Sequence, residues 1–101
     1  MGTTIIPVEV LTRNIKDAAR SLAESDLLSS ARKEGMTDLD LVFDVDAPKR
    51  GQLITHWPDL EAARAFAGRA SDEKLGDDVQ LGQATVSRAP EYLEHGNVEG
   101  A

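Results

Sequence analysis

The hydrophobic rhythm of this chain changes from strand spacing to helix spacing across one proline, Pro58. Before it, residues 52–57 alternate between two faces, which is the period of a β-strand. After it, apolar side chains recur on one side of a helix, at Leu60, Ala63, Phe66, Ala67 and Ala70. A strand that leads through a tight turn into an amphipathic helix limits the possible folds strongly.

Similar patterns predict the other elements. Strands are expected over residues 3–12, 38–46 and 52–57 and within 79–88, and helices from Asn14 to about Glu34 and from Asp59 to Ala70. A short helical turn is expected at 71–76. The alternation is clearest in 38–46, where four side chains are predicted to face inward: Leu39, Leu41, Phe43 and Val45.

The resulting order, β-α-β-β-α-β, predicts an α+β fold, a ferredoxin-like sandwich. Both helices would lie on one face of a four-stranded antiparallel sheet, with 38–46 at the sheet edge. Pro7 has no amide hydrogen, so the first strand should have a bulge, a strand start or an unpaired position there.

Size and charge exclude several classes of protein. The 101 residues suit one domain, with a core over about 3–88 and a polar tail at 89–101. A formal charge of −7 with no basic cluster argues against nucleic-acid binding. There is no cysteine, and the longest apolar run, Ile5 to Val8, is too short to span a membrane. A cytoplasmic location is the default expectation.

The first helix contains a polar residue where its apolar stripe should continue. Ile15, Ala19, Leu22 and Ala23 form that stripe, and Asp26 falls on it one turn later. Either the helix breaks near Ser25, which with Asp26 is itself a cap signal, or Asp26 faces a polar pocket. In the second case a desolvated carboxylate would lie over the sheet, as a candidate catalytic base.

The chain resembles antibiotic biosynthesis monooxygenase-like (ABM-like) domains of the dimeric α+β barrel superfamily in three features. These are the order of elements, Gly35 before the second strand, and Trp57 followed by Asp59-Leu60-Glu61-Ala62 and Phe66. The likeness spans about 4–88. It implies a homodimer with facing sheets and a pocket between sheet and helices in each subunit. Some members of that family oxidise aromatic or quinol-like compounds with molecular oxygen and no metal or flavin.

Two neighbouring residues are the main candidates for chemistry. His56 could act as a base on a phenol, because histidine titrates near neutral pH, or it could be a half-exposed strand residue that points away from Trp57. Trp57 could stack on a planar ligand, or it could be a core or dimer anchor. In the implied pocket, the candidate ligand-binding residues are Trp57, Leu22, Phe43 and Phe66.

No metal site or cofactor is expected. Asp38-x-Asp40 and Asp44-x-Asp46 resemble calcium ligands, but apolar residues alternate with them as on a solvated strand. Neither a phosphate loop nor a Rossmann glycine pattern occurs.

Two functions remain open. One is a homodimer that binds a planar apolar molecule, with cofactor-free oxygenation as its possible reaction. The other is a non-catalytic ligand-binding or assembly module. An enclosed cavity beside Trp57 would favour the first, and a filled core the second.

Overall fold

In the computed structural model, which describes residues 1–88, the chain folds into an antiparallel sheet with helices on one of its faces. The strands are β1 (Gly2–Val10), β2 (Asp38–Phe43), β3 (Arg50–Trp57), β4 (Lys74–Leu75), β5 (Val79–Leu81) and β6 (Thr85–Arg88). The helices are α1 (Ile15–Ala23), α2 (Asp26–Lys33) and α3 (Leu60–Ala70). The expected polar tail, 89–101, lies outside the described residues.

The sheet has the strand order β2-β3-β1-β5-β4, and β6 pairs with the other half of β1. The β2–β3 hairpin and the edge position of β2 confirm the prediction from sequence. The antiparallel sheet with helices on one face confirms the ferredoxin-like fold class. The predicted strand within 79–88 is present, but as two pieces.

The interruption between β5 and β6 lies beside Pro7. Val8 is opposite Leu81 and Ile5 is opposite Thr85, so the register shifts by one residue between these two pairs. Pro7 has no N–H to donate to a neighbouring strand, and its carbonyl accepts a hydrogen bond from the Gly82 amide at 2.9 Å. The proline therefore lies at an irregular position, as the sequence predicted.

The two faces of the sheet have different environments. On one face, inward side chains of β1, β3 and β5 pack against the helices and form the core, among them Ile6, Val8, Leu53, Trp57 and Leu81. The opposite face, here called the open face, has no helix over it within residues 1–88. It consists of Thr3, Ile5, Pro7 and Glu9 on β1, Arg50, Gln52, Ile54 and His56 on β3, Asp38, Asp40 and Val42 on β2, and, beyond β1, Gln80, Gly82, Thr85 and Ser87.

The predicted first helix is broken at Ser25. The Ser25 hydroxyl donates to the Leu22 carbonyl at 2.6 Å and accepts from the Leu28 amide at 3.3 Å. One side chain thus caps the end of α1 and the beginning of α2. This confirms that the predicted helix breaks near Ser25, the first of the two alternatives given for Asp26. Asn14 caps α1 and Asp59 caps α3, as expected.

Three details of the sequence prediction are wrong. Residues 71–76 do not form a helical turn, because Lys74 and Leu75 pair with β5 as strand β4. Val45 does not face inward but is 94% exposed, since β2 ends at Phe43 and the Asp44 carboxylate accepts from the Asp46 amide in a turn. Ala23 is exposed, and Ala18 occupies the buried side of α1 with Leu22.

No helix within residues 1–88 combines the length and apolar character that crossing a membrane would require.

Candidate functional site

Trp57 and His56 point to opposite faces of the sheet, because they are adjacent on one strand. Trp57 lies in the core, where its ring centroid is 5.2 Å from that of Phe66. The exposed fraction is 1% for Trp57, 0% for Phe66 and 2% for Leu22. Three of the four predicted ligand-binding residues are therefore core residues.

The core beside Trp57 is filled by side chains. A cavity large enough for a water molecule would leave accessible surface on the residues that line it, and these three have almost none. Their role in ligand binding stays a prediction, and it requires the helices to move away from the sheet. The fourth residue, Phe43, is half-buried at the end of β2 beside a groove of about 310 Å³ that includes Arg50 and Gly51.

The interior contains a polar cluster that the sequence analysis did not identify. Thr4 and Thr55 are fully buried, and their hydroxyls hydrogen-bond to each other between β1 and β3. The indole N–H of Trp57 donates to Oγ1 of Thr55 at 2.9 Å. The signal was available in the strand period, since both threonines occupy inward positions. Any ligand that entered the core would meet these hydroxyls.

His56 lies half-exposed on the open face. Its Nε2 is 3.9 Å from Oδ2 of Asp40, and its Nδ1 is 3.4 Å from the hydroxyl of Thr3. These contacts agree with the half-exposed strand residue described above and confirm that it points away from Trp57. His56 can act only on a molecule bound at the open face, because the sheet separates it from the core.

Asp26 is exposed in the first turn of α2, on the helix side of the sheet. The structure therefore does not bring His56 and Asp26 together. Asp26 lines a groove of about 840 Å³ between the α1–α2 corner and the segment from α3 to β4. Catalytic roles for both residues stay predictions, and the two would serve different sites.

The groove beside Asp26 is lined by charged residues of both signs, by serines and by apolar residues. Its lining contains the hydroxyls of Ser21, Ser25 and Ser30 and the side chains of Arg69 and Lys74. Arg69 forms an ion pair with Glu34 and lies over the ring of Phe66, with its guanidinium carbon 5.8 Å from the ring centroid. Arg69 thus covers one end of the aromatic pair in the core.

In the part of the chain that the structure describes, no three His, Asp or Glu side chains are placed to hold a metal ion.

The fold is similar to that of a solved antibiotic biosynthesis monooxygenase. That crystal structure superposes with a TM-score of 0.54 and 20% sequence identity, over 89% of this chain and 100% of the other. None of the family models compared with the chain matches it. No curated protein matches it either. The chain therefore has an ABM-like fold, and the comparison extends to the fold alone.

Proposed function

We propose that this chain is a small, cytoplasmic, homodimeric ABM-like protein that binds a planar, largely apolar molecule. Cofactor-free oxygenation of an aromatic or quinol-like substrate is its proposed reaction. The observation that supports this most is the ABM-like fold, because the similarity includes nearly the whole chain and all of a solved monooxygenase.

The open face supports the homodimer. Ile5 and Ile54 are adjacent across β1 and β3, and Val42 on the neighbouring strand is 47% exposed. Pro7 is exposed on the same face. An apolar strip in the middle of a sheet without a covering layer is the type of surface that a second sheet covers.

A charge placed on that strip tests the homodimer. Ile54→Glu should shift the protein from dimer to monomer in sedimentation velocity at micromolar concentration, since an unpaired carboxylate would enter the interface. Val45→Glu adds the same charge at a fully exposed loop residue and should leave the mass unchanged. A wild-type protein that is monomeric under these conditions would refute the homodimer.

Trp57 provides a direct probe of ligand binding. It is the chain's single tryptophan, so fluorescence excited selectively at tryptophan reports on the core. Titration with anthraquinone should quench this emission if a planar molecule enters between sheet and helices. Phe66→Leu should weaken the quenching because it removes the ring that faces Trp57, and Leu11→Ala, an exposed change, should not. Unchanged emission at saturating anthraquinone would exclude a site beside Trp57.

Oxygen consumption tests the proposed reaction. The protein is incubated aerobically with anthrone and with a panel of hydroquinones, and oxygen uptake is compared with that of heat-denatured protein. His56→Ala and Asp26→Ala are measured separately, because the two residues lie on opposite sides of the sheet. Loss of uptake in one variant alone would identify the side that reacts, which for His56 is the interface of the proposed homodimer. Uptake equal to that of the denatured protein would exclude the oxygenase.

A non-catalytic ligand-binding or assembly module is the second candidate. The filled core beside Trp57 and the separation of His56 from Asp26 favour it. It predicts a stable dimer without oxygen uptake. Because both functions predict a dimer, the oxygen experiment is the one that distinguishes them.

A further inference from the structure

The open face is divided by the seam between its two central strands, β1 and β3. Across this seam Glu9 lies beside Arg50, and Ile5 lies beside Ile54. Beyond β3 the sheet continues with β2, and beyond β1 it continues with β5 and β6. One half of the face therefore consists of β3 with β2 beside it, and the other of β1 with β5 and β6 beside it.

The two halves have complementary chemistry, row by row. Four rows cross the sheet: Asp38, His56, Thr3 and Ser87; Asp40, Ile54, Ile5 and Thr85; Val42, Gln52, Pro7 and Gly82; and Arg50, Glu9 and Gln80. An isologous contact requires that residue i of one copy meets residue j of the other while j meets i. A two-fold axis along the seam meets this requirement, since it places β1 of each copy over β3 of the other with the rows aligned.

We propose that two copies of the chain pack open face to open face about a two-fold axis along the β1–β3 seam, so that Glu9 of each copy pairs with Arg50 of the other. This inference rests on the homodimer proposed above and specifies its register. In this register the pairing of Glu9 with Arg50 determines how the two copies align.

Charge supports this register at one end of the β1–β3 seam. The axis places each Arg50 over a Glu9, and each Ile54 over an Ile5, so the interface contains two ion pairs beside a central apolar contact. An axis across the strands would instead place Arg50 over the His56 end of β3, and Glu9 over Thr3. In that arrangement the second copy offers no cation to Glu9 and places an imidazole near Arg50.

Shape supports the same register farther from the axis. Val42 is 47% exposed, and its equivalent position on the other half of the face is Gly82. Gly82 has no side chain, and a depression of about 320 Å³ lies there, lined in part by Pro7, Glu9 and Gln80. The valine of one copy therefore lies opposite the depression of the other.

The outer rows fit the same arrangement. The carboxylates of Asp38 and Asp40 lie opposite Ser87 and Thr85 of the second copy, whose hydroxyls are hydrogen-bond donors. None of the carboxylates in these rows then faces another carboxylate, which matters for a chain with a formal charge of −7.

Charge reversal in mixed dimers tests the register. Glu9→Arg gives one end of the face two cations, and Arg50→Glu gives it two carboxylates. Either variant alone should raise the dimer Kd at least roughly tenfold, because like charges then face each other across the interface twice. An equimolar mixture of the two should form heterodimers in large excess over the statistical fraction in native mass spectrometry, since both facing pairs become attractive.

The double variant with Glu9→Arg and Arg50→Glu is the matched control for folding. It keeps an opposite-charge pair between β1 and β3 within each chain, so it stays folded even if a single variant does not. It should dimerise with itself at about the wild-type Kd and exclude wild-type chains, because the mixed pair would place like charges together.

The outcomes separate this inference from the homodimer itself. Excess heterodimer between the single variants, or self-sorting of the double variant from wild type, supports the register. Wild-type Kd values for both single variants with statistical mixing overturn the register and leave the homodimer intact. A wild-type chain that stays monomeric at all concentrations tested overturns both.

Discussion

The indole nitrogen of Trp57 donates to the hydroxyl of Thr55, two residues earlier on the same strand, at 2.9 Å. The pairing follows from the strand period, since residues two apart point to the same side. A buried tryptophan needs a partner for its N–H, and here Thr55 is that partner while also bonding Thr4 on β1. The buried aromatic pair is therefore held by a polar contact that joins two strands.

Removal of the Thr55 hydroxyl should destabilise the fold. Thr55→Val keeps the shape of the side chain but leaves the Trp57 N–H buried without an acceptor, which costs about 1–3 kcal/mol. Thr55→Ser retains the hydroxyl and loses one methyl group, so it should cost less than the valine. Urea unfolding followed by circular dichroism measures both. Equal stability of the valine variant and wild type would show that this hydrogen bond does not matter.

Local signals in the sequence were enough for the elements that frame the site. The change of period at Pro58 fixed β3, α3 and the side to which Trp57 points. Ser25 next to Asp26 indicated the helix break, and the structure has it there. Such features are decided within a few residues, so a pattern of caps and alternation predicts them.

The parts that were not predicted depend on contacts between distant segments. Lys74 and Leu75 are in β4 because β5 offers an edge to pair with, and no local signal distinguished this from a helical turn. The Thr4 hydroxyl is satisfied by a residue 51 positions away. The filled core likewise depends on the volumes of side chains from several elements, and periodicity alone does not determine whether a cavity remains.

The double cap at Ser25 should contribute to stability more than any neighbouring serine of α2. Ser25→Ala removes the acceptor for the Leu28 amide and the donor to the Leu22 carbonyl, so we expect a loss of about 1 kcal/mol. Ser29→Ala is the matched control, because Ser29 is an exposed helical residue and alanine is the better helix former. Ser25→Ala should therefore lower the melting temperature, and Ser29→Ala should leave it unchanged or raise it. Equal melting temperatures would contradict the cap.

Two glycines should respond in opposite ways to alanine. A Cβ at Gly51 would overlap the Val42 carbonyl oxygen and contact the ring of Phe43, so Gly51→Ala should strain the β2–β3 hairpin and destabilise the protein. At Gly68, within α3, a Cβ meets nothing within 4 Å, so Gly68→Ala should stabilise by roughly 0.5–1 kcal/mol through helix propensity. Chemical denaturation of both variants decides this, and a stabilised Gly51→Ala would show that the hairpin adjusts freely.

A cavity made at Phe66 would show whether the core can hold an aromatic ring at all. Phe66→Ala should cost about 3–5 kcal/mol, since this fully buried side chain packs against Trp57. Leu11→Ala, at a residue 45% exposed, should stay within about 0.5 kcal/mol of wild type. The space left by the ring is apolar, and such cavities bind small aromatic molecules. Benzene or indole should therefore raise the melting temperature of Phe66→Ala and leave that of Leu11→Ala unchanged. If neither molecule changes the melting temperature, the helices have collapsed onto the sheet, and a planar ligand beside Trp57 would lose its physical basis.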